Sequence, residues 1–124
     1  MNLVRSLRGA AARQTGRRAE AAAALWLMLK GYRILGFRLR TPHGEIDLLA
    51  HRGRVLAVVE VKRRGTLAEA LEAVGFEQRE RLRRAGANLA ARRRGLKEAA
   101  VRLDLIALAP GRLPRHIRDA WKGA

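Results

Sequence analysis

Residues 44–62 read GEIDLLAHRGRVLAVVEVK, two runs with a side-chain period of two separated by HRGR. Successive side chains of a strand point to opposite faces, so such runs joined by a short glycine-containing break specify an antiparallel β-hairpin. Alternation puts Ile46 and Leu48 on one face, with Glu45, Asp47 and Leu49 on the other. With Arg52 and Gly53 as the central loop residues, Ala50 faces Val55, Asp47 faces Val58 and Glu45 faces Glu60. Residues two apart on a strand are separated by about 6.6 Å, and cross-strand Cβ atoms by about 5 Å. Glu45, Asp47, Glu60 and Lys62 therefore form one compact patch. A loop one residue longer or shorter would send Glu60 to the opposite face.

The flanking segments supply the other layers. "RRAEAAAALWLMLK" after Gly16 is rich in helix formers, and Gly31 follows as a stop signal. The segment is apolar almost all round, which predicts a first helix largely buried against a sheet. Glu20 shares a stripe with Ala24 and Leu27, so its carboxylate is expected to face the interior. Tyr32 to Arg40 reads as a strand with a bulge at Gly36, and Thr41 to Gly44 as a turn. After Lys62 the period changes to about 3.6. Thr66 and Glu69 form a capping-box pattern for a short helix ending near Val74, followed by a longer helix from about Glu77 to Arg94. Val101 to Ala109 is a further strand, and the tail is expected to dock Ile117 and Trp121 on the core.

A chain of 124 residues has room for one domain with one core. Residues 17–124 are assigned to it, and residues 1–16, which contain no acid, to a basic and mobile N-terminal arm. With no cysteine there are no disulfides, thiolate metal sites or cysteine nucleophiles, which fits a reducing cytoplasm. The longest apolar run, Ala21 to Leu29, is too short for a membrane span, and no membrane partner is expected. The formal net charge of +16 points to a polyanion. Arginine dominates the basic set, and its planar fork suits phosphate. The arginine-crowded helix that includes Arg79, Arg83 and Arg84, together with Arg63 and Arg64, is the expected backbone-gripping surface. Contacts of that kind give salt-sensitive binding with little sequence information.

Clustered carboxylates on a half-buried sheet repel and raise one another's pKa unless a cation joins them. Mg²⁺ takes hard oxygen ligands, commonly one or two carboxylates with water and phosphate, and the patch can supply these; Mn²⁺ is the alternative ion. Lys62 beside such an ion would steer the attacking water or stabilise the transition state. The plainer reading of Glu60 and Lys62 is a solvated ion pair worth little. "ExK" alone has almost no specificity. Its weight comes from the acidic strand before it, Glu20, and the surrounding positive charge.

"GRRAEAAAALWLMLKGYRIL", "GEIDLLA", "VVEVKRR" and "VRLDLIAL", in that order and spacing, resemble the YraN-like family of predicted bacterial endonucleases. That family is similar to archaeal Holliday junction resolvases and has the restriction-endonuclease-like, or PD-(D/E)xK, fold. The resemblance implies an α/β fold with an αβββαβ core and a mixed central sheet flanked by helices. It also implies that Asp47 and Glu60 are metal ligands, Lys62 the catalytic lysine, and Glu20 an additional acid near the metal. Glu45 is a further candidate in the patch. Gln78 stands where such chains more commonly have lysine, and the usual "RN" ahead of the acidic hairpin is missing near Gly36 to Arg38.

Outside the patch, Asp104 is expected to pair with an arginine. His43, His51 and His116 lack metal-ligand spacing, and Ser6 and Thr41 lack a base partner. Glu69, Glu72, Glu77 and Glu80 read as helix caps and arginine partners. The sequence thus carries two readings. One is a Mg²⁺-dependent endonuclease, acting structure-selectively on DNA and working as a homodimer by analogy with resolvases. The other is a non-catalytic protein that keeps the nuclease fold and binds DNA, RNA or the ribosome.

Overall fold

A computed structural model describes the backbone of residues 3–122 and the side chains of residues 16–122. The mobility expected of the N-terminal arm and the side chain of Ser6 lie outside the described residues. Helix α1 runs from Leu3 to Leu29, so it begins well before Gly16, where the helix was expected to start. The Ala, Leu, Arg and Gln residues of this earlier segment are good helix formers, and their polarity hides that from a reading based on apolar pattern. The helix closes on a Schellman motif: Gly31, at φ +90°, lets the Tyr32 amide reach Leu27 O at 3.0 Å.

Strands β1 (Arg33–Thr41), β2 (Gly44–Arg52) and β3 (Val55–Arg63) form an antiparallel meander, with the expected bulge between Ile34 and Gly36. Helices α2 (Leu67–Glu72) and α3 (Phe76–Arg92) then return the chain to β4 (Ala100–Leu108), which lies parallel to β3. The short β5 (Arg115–Ile117) closes the sheet in the order β1-β2-β3-β4-β5. This is the mixed sheet and αβββαβ order that the resemblance implied. Thr66 caps α2 by accepting the Glu69 amide at 3.1 Å, and Trp121 and Ile117 pack on the core as expected.

Helices cover both faces. Ala70 of α2 and Leu82, Ala85 and Ala90 of α3 join Leu49, Leu56, Val58, Leu103 and Leu105 on one face. Ala23, Ala24 and Leu27 of α1 join Leu48, Ala50, Ala57, Val59 and Ile106 on the other. At Gly86, α3 approaches so closely that a Cβ would lie 2.6 Å from Val58 Cγ2. Helix α1 is less buried than its composition predicts: Leu25, Met28 and Leu29 are 58%, 56% and 73% exposed. One helix laid across a sheet buries only the stripe it presents, and among the described residues no second layer covers its outer side.

The hairpin register differs from the expected one. Arg52 pairs with Val55 and Leu48 with Val59, so the two loop residues are Gly53 and Arg54. Gly53 has φ +58° and takes the first central position, where a two-residue primed turn needs a positive φ. Arg52 there would be strained. The turn moves one residue along the chain and the pairing by two, so within the paired segment from Leu48 to Val59 each side chain keeps its face while its partner changes.

A second departure lies at Asp47. Ile46 belongs to the cluster beneath α3 and Leu48 to the one beneath α1, although alternation places them together. Across from this break, between the pairs Phe37–Leu48 and Leu39–Ile46, Arg38 has φ +47°. A left-handed residue in a strand reverses the order of the faces, and Leu39 packs with Ile46 beneath α3.

Candidate functional site

The paired segment of β2 and β3 runs from Arg52–Val55 to Leu48–Val59. The ladder stops there; one step further on the same count Asp47 comes opposite Glu60, while the face reversal at Asp47 turns Glu45 out of the expected patch. The two carboxyl groups are close enough for the Asp47 charge to act on Glu60, as the expected patch requires. Beyond Leu48 a carboxylate enters the ladder: Asp47 Oδ2 accepts the Val61 backbone amide at 3.0 Å. This fixes Asp47 beside β3.

Glu60 is only 2% exposed, and Lys62 Nζ lies 3.5 Å from its Oε2. Burial pushes the Glu60 carboxyl up to about 8; the neighbouring Asp47 charge adds to the rise, and Lys62 opposes it. A buried acid that holds its proton near neutrality beside a second acid is short of positive charge. The plain reading of Glu60 and Lys62 as a solvated pair does not describe a carboxylate buried this deeply. The donors are hard oxygens, and one or two carboxylates suffice for Mg²⁺ or Mn²⁺ when water and phosphate complete the shell. Asp47 and Glu60 therefore fit a divalent ion.

The other candidates are distributed around this pair. Glu20 is held by Arg38, with Nε to Oε1 at 3.0 Å and Nη2 to Oε2 at 2.9 Å. The kinked Arg38 lies across from Asp47, so Glu20 is tied to the strand beside the pair through an arginine. Among the described residues, no three His, Asp or Glu side chains come together as a ready-made metal cage. Glu45 is exposed and paired across the sheet with Arg40, and Gln78 lies half-buried in the first turns of α3.

Of the candidate phosphate contacts, Arg63, Arg64 and Arg84 are exposed. Arg83 bonds Glu80 at 2.8 Å, an i, i+3 pair of the expected kind. Arg79 lies with its guanidinium 5.8 Å from the ring centroids of both Phe76 and Trp121, and its buried Nε has no hydrogen-bond partner.

Asp104 is on the other face. The register Val59–Asp104 and Glu60–Leu105 places it with the α1 side while Glu60 faces α3. It is fully buried and pairs with Arg102 as expected, at 2.7 and 2.8 Å. Sequence reasoning missed the rest of this network. His116 Nε2 lies 2.8 Å from Asp104, Lys30 Nζ 2.7 Å from His116 Nδ1, and Arg102 donates to the Tyr32 hydroxyl at 2.6 Å. A charged lysine has only donors, so Nδ1 accepts from it and the Nε2 hydrogen faces Asp104. Burial alone would raise the Asp104 pKa, but bonds from His116, Arg102 and the Asp119 amide outweigh it and hold the carboxyl below its ordinary value. The one hint in the sequence was an aspartate two residues after an arginine in an apolar strand.

A mixed sheet with α1 on one face, α2 and α3 on the other, and an acidic pair of buried Glu60 and half-buried Asp47 where β2 and β3 part defines an α/β protein with a single candidate site on its α3 face among the described residues. The chain belongs to the uncharacterised protein family UPF0102, whose profile matches residues 19–108. That span contains Glu20, Asp47, Glu60, Lys62 and Gln78. The chain is 71% identical over 121 residues to a UPF0102 protein of Caulobacter vibrioides (strain NA1000 / CB15N), covering 98% of this chain and 97% of that one. It is 50% identical over 116 residues to UPF0102 protein amb4503 of Paramagnetospirillum magneticum, covering 90% of each. To UPF0102 protein Atu0303 of Agrobacterium fabrum it is 46% identical over 110 residues, covering 89% of this chain and 90% of that one. Among the described residues, no helix is long and apolar enough to cross a membrane.

Proposed function

We propose that this protein is a divalent-metal-dependent endonuclease that hydrolyses phosphodiesters of nucleic acid, with structured DNA as its first candidate substrate and the cytoplasm as its place of action. The observation that carries the reading is the Asp47–Glu60 pair, with Glu60 buried, Asp47 half-buried and the two short of positive charge, and with Lys62 Nζ 3.5 Å from Glu60 in a chain of net charge +16. A pure phosphate binder gains nothing from two carboxylates turned toward its polyanion.

Asp47 and Glu60 hold the ion, Mg²⁺ or Mn²⁺. When bound, that ion supplies Lewis-acid charge for the phosphoryl oxygens and lowers the pKa of a water. Lys62 stands beside the pair as a fixed positive charge that orients the attacking water and stabilises negative charge on the phosphorus oxygens in the transition state. Asp47 is positioned by the Val61 amide, so the first ligand is pre-oriented by the backbone of the strand that carries the second. Glu20, held by Arg38, supports the site from α1. A homodimer would let two such sites address two strands.

The test is calorimetric titration of Mg²⁺ and Mn²⁺ into the parent, Asp47→Asn and Lys62→Ala, followed by incubation with labelled branched, single-stranded and duplex DNA. Metal binding lost in Asp47→Asn, with metal-dependent cutting lost in both variants, is the expected result. A parent that binds no metal with or without DNA would overturn the reading. One observation favours the alternative, a non-catalytic protein that binds DNA, RNA or the ribosome: Glu20 bonds Arg38 and, among the described residues, no third acid joins the pair.

A further inference from the structure

Strands β3 and β4 are adjacent and parallel, and in open α/β sheets ligands bind beyond the carboxyl ends of such strands. Two clefts meet at that end. One, of about 270 Å³, lies on the α1 side and is lined by Arg18, Arg63 and Arg112. The other, a recess of about 40 Å³ at the start of α2, is lined by Arg64, Arg112 and Arg115. They share Leu108, Ala109 and Arg112, so Arg112 bridges the two around the end of the sheet.

Among the described residues no acid lines either cleft, and all five arginines are exposed. None of the five forms an ion pair among the described residues. The wide cleft at the opposite end of the sheet, about 450 Å³, has Glu98 in its wall beside Arg54. Like charges gathered without a counterion repel, and a phosphate backbone relieves the repulsion through bidentate contacts that arginine is shaped to make.

We propose that these two clefts form a track for the phosphate backbone of the bound nucleic-acid strand, with Arg18, Arg112 and Arg115 as contacts additional to Arg63 and Arg64. The assignment rests on the nucleic-acid reading above and adds where the strand leaves the site. Arg63 follows Lys62 directly and is three residues beyond Glu60. At about 3.3 Å per strand residue this is roughly 10 Å, or about three nucleotides at 3.4 Å of duplex axis each. The strand passes from the acidic pair on the α3 face around Arg112 to the cleft beneath α1.

Binding of fluorescein-labelled duplex DNA is followed by anisotropy in EDTA over a series of salt concentrations, so that neither metal nor cleavage enters the readout. The Asp47→Asn protein serves as parent. It is compared with the same protein carrying Arg18→Ala and Arg112→Ala, and with one carrying Arg54→Ala and Lys97→Ala as a control of equal charge loss at the other end of the sheet. Each phosphate contact on duplex DNA contributes about 0.9 to the slope of log K against log salt. The track variant should lose about 1.8 from that slope and bind at least tenfold more weakly at moderate salt, with the control changed by less than half as much. All four substitutions are at exposed positions, and thermal melting of both variants checks that they fold. Equal losses in track and control would overturn the track and leave the endonuclease reading untouched, because binding would then follow net charge alone. A parent that binds no DNA at any salt would overturn both.

Discussion

The Val61 amide donates to Asp47 Oδ2 at 3.0 Å, so a side chain takes a strand donor just where the β2–β3 pairing ends at Leu48 and Val59. This one bond joins the fold to the chemistry, because the residue that ends the pairing is also the first candidate ligand.

It separates two substitutions that are usually treated alike. Asp47→Asn keeps an oxygen for the Val61 amide and should melt within about 1 kcal/mol of the parent, while metal binding is lost. Asp47→Ala leaves the amide without its partner and should cost about 1–3 kcal/mol in addition. Urea denaturation of the metal-free proteins checks this. Equal stability of the two variants would show that the bond contributes nothing to the fold.

Glu60 should make the metal-free protein less stable as pH rises. Its folded-state pKa, about 8, lies above the ordinary value of 4.5, so between these limits the folded chain holds a proton that the unfolded chain has released. The sign of the linkage is then negative: stability is full below about pH 4.5, falls through the window, and levels off above about 8. The slope contributed by this one group is at most about 1.4 kcal/mol per pH unit. Glu60→Gln removes the titration and should flatten the curve. A divalent ion competes with the same proton, so metal affinity in the parent should climb across the window. Identical pH profiles for parent and variant would contradict the assignment.

The order of the elements was legible because each carries a local signal: period two in the strands, the Thr66 cap, the glycines after α1 and α3. Register and facing were less so. The hairpin pairing turned on which of Arg52 and Gly53 takes the positive-φ position, and steric cost chose glycine. The face reversal at Ile46 depends on the backbone of Arg38, an ordinary arginine in the sequence whose side chain is held by Glu20 of α1. The acidic pair could be read because its members are local to one hairpin. The Lys30–His116–Asp104 network could not, because it joins residues 86 and 12 positions apart through the packing of α1 and β5 on β4.

Glu20 tests how far the acidic cluster extends. With both its oxygens engaged by Arg38, it should contribute less to cleavage than Asp47. Glu20→Gln is expected to retain metal binding within about threefold, a difference of about 0.7 kcal/mol. Arg38→Ala should free the carboxylate and tighten metal binding if Glu20 can reach the ion. Titration calorimetry on both variants decides the matter: loss of metal binding in Glu20→Gln equal to that in Asp47→Asn would make Glu20 a direct ligand.

On the opposite face, Asp104 governs resistance to acid. Arg102, His116 and the Asp119 amide all bond one fully buried carboxylate, and removing its charge leaves Arg102 facing a neutral group. Breaking a buried pair in this way typically costs about 3–5 kcal/mol, which in a domain of this size lowers Tm by roughly 10 °C or more. The linkage runs opposite to that of Glu60. Because the folded-state pKa lies below the ordinary 3.8, the stabilisation is present above that value and is lost as pH falls through the depressed one. Asp104→Asn should therefore be less stable at pH 7 yet lose little more as pH falls below the ordinary carboxyl value of 3.8, where the parent loses this stabilisation. It should leave metal binding at Asp47 and Glu60 unchanged, because the sheet lies between the two groups. Thermal melts across that range, with metal titration at pH 7, check both halves. A variant that lost metal binding while remaining folded would couple the two faces of the sheet.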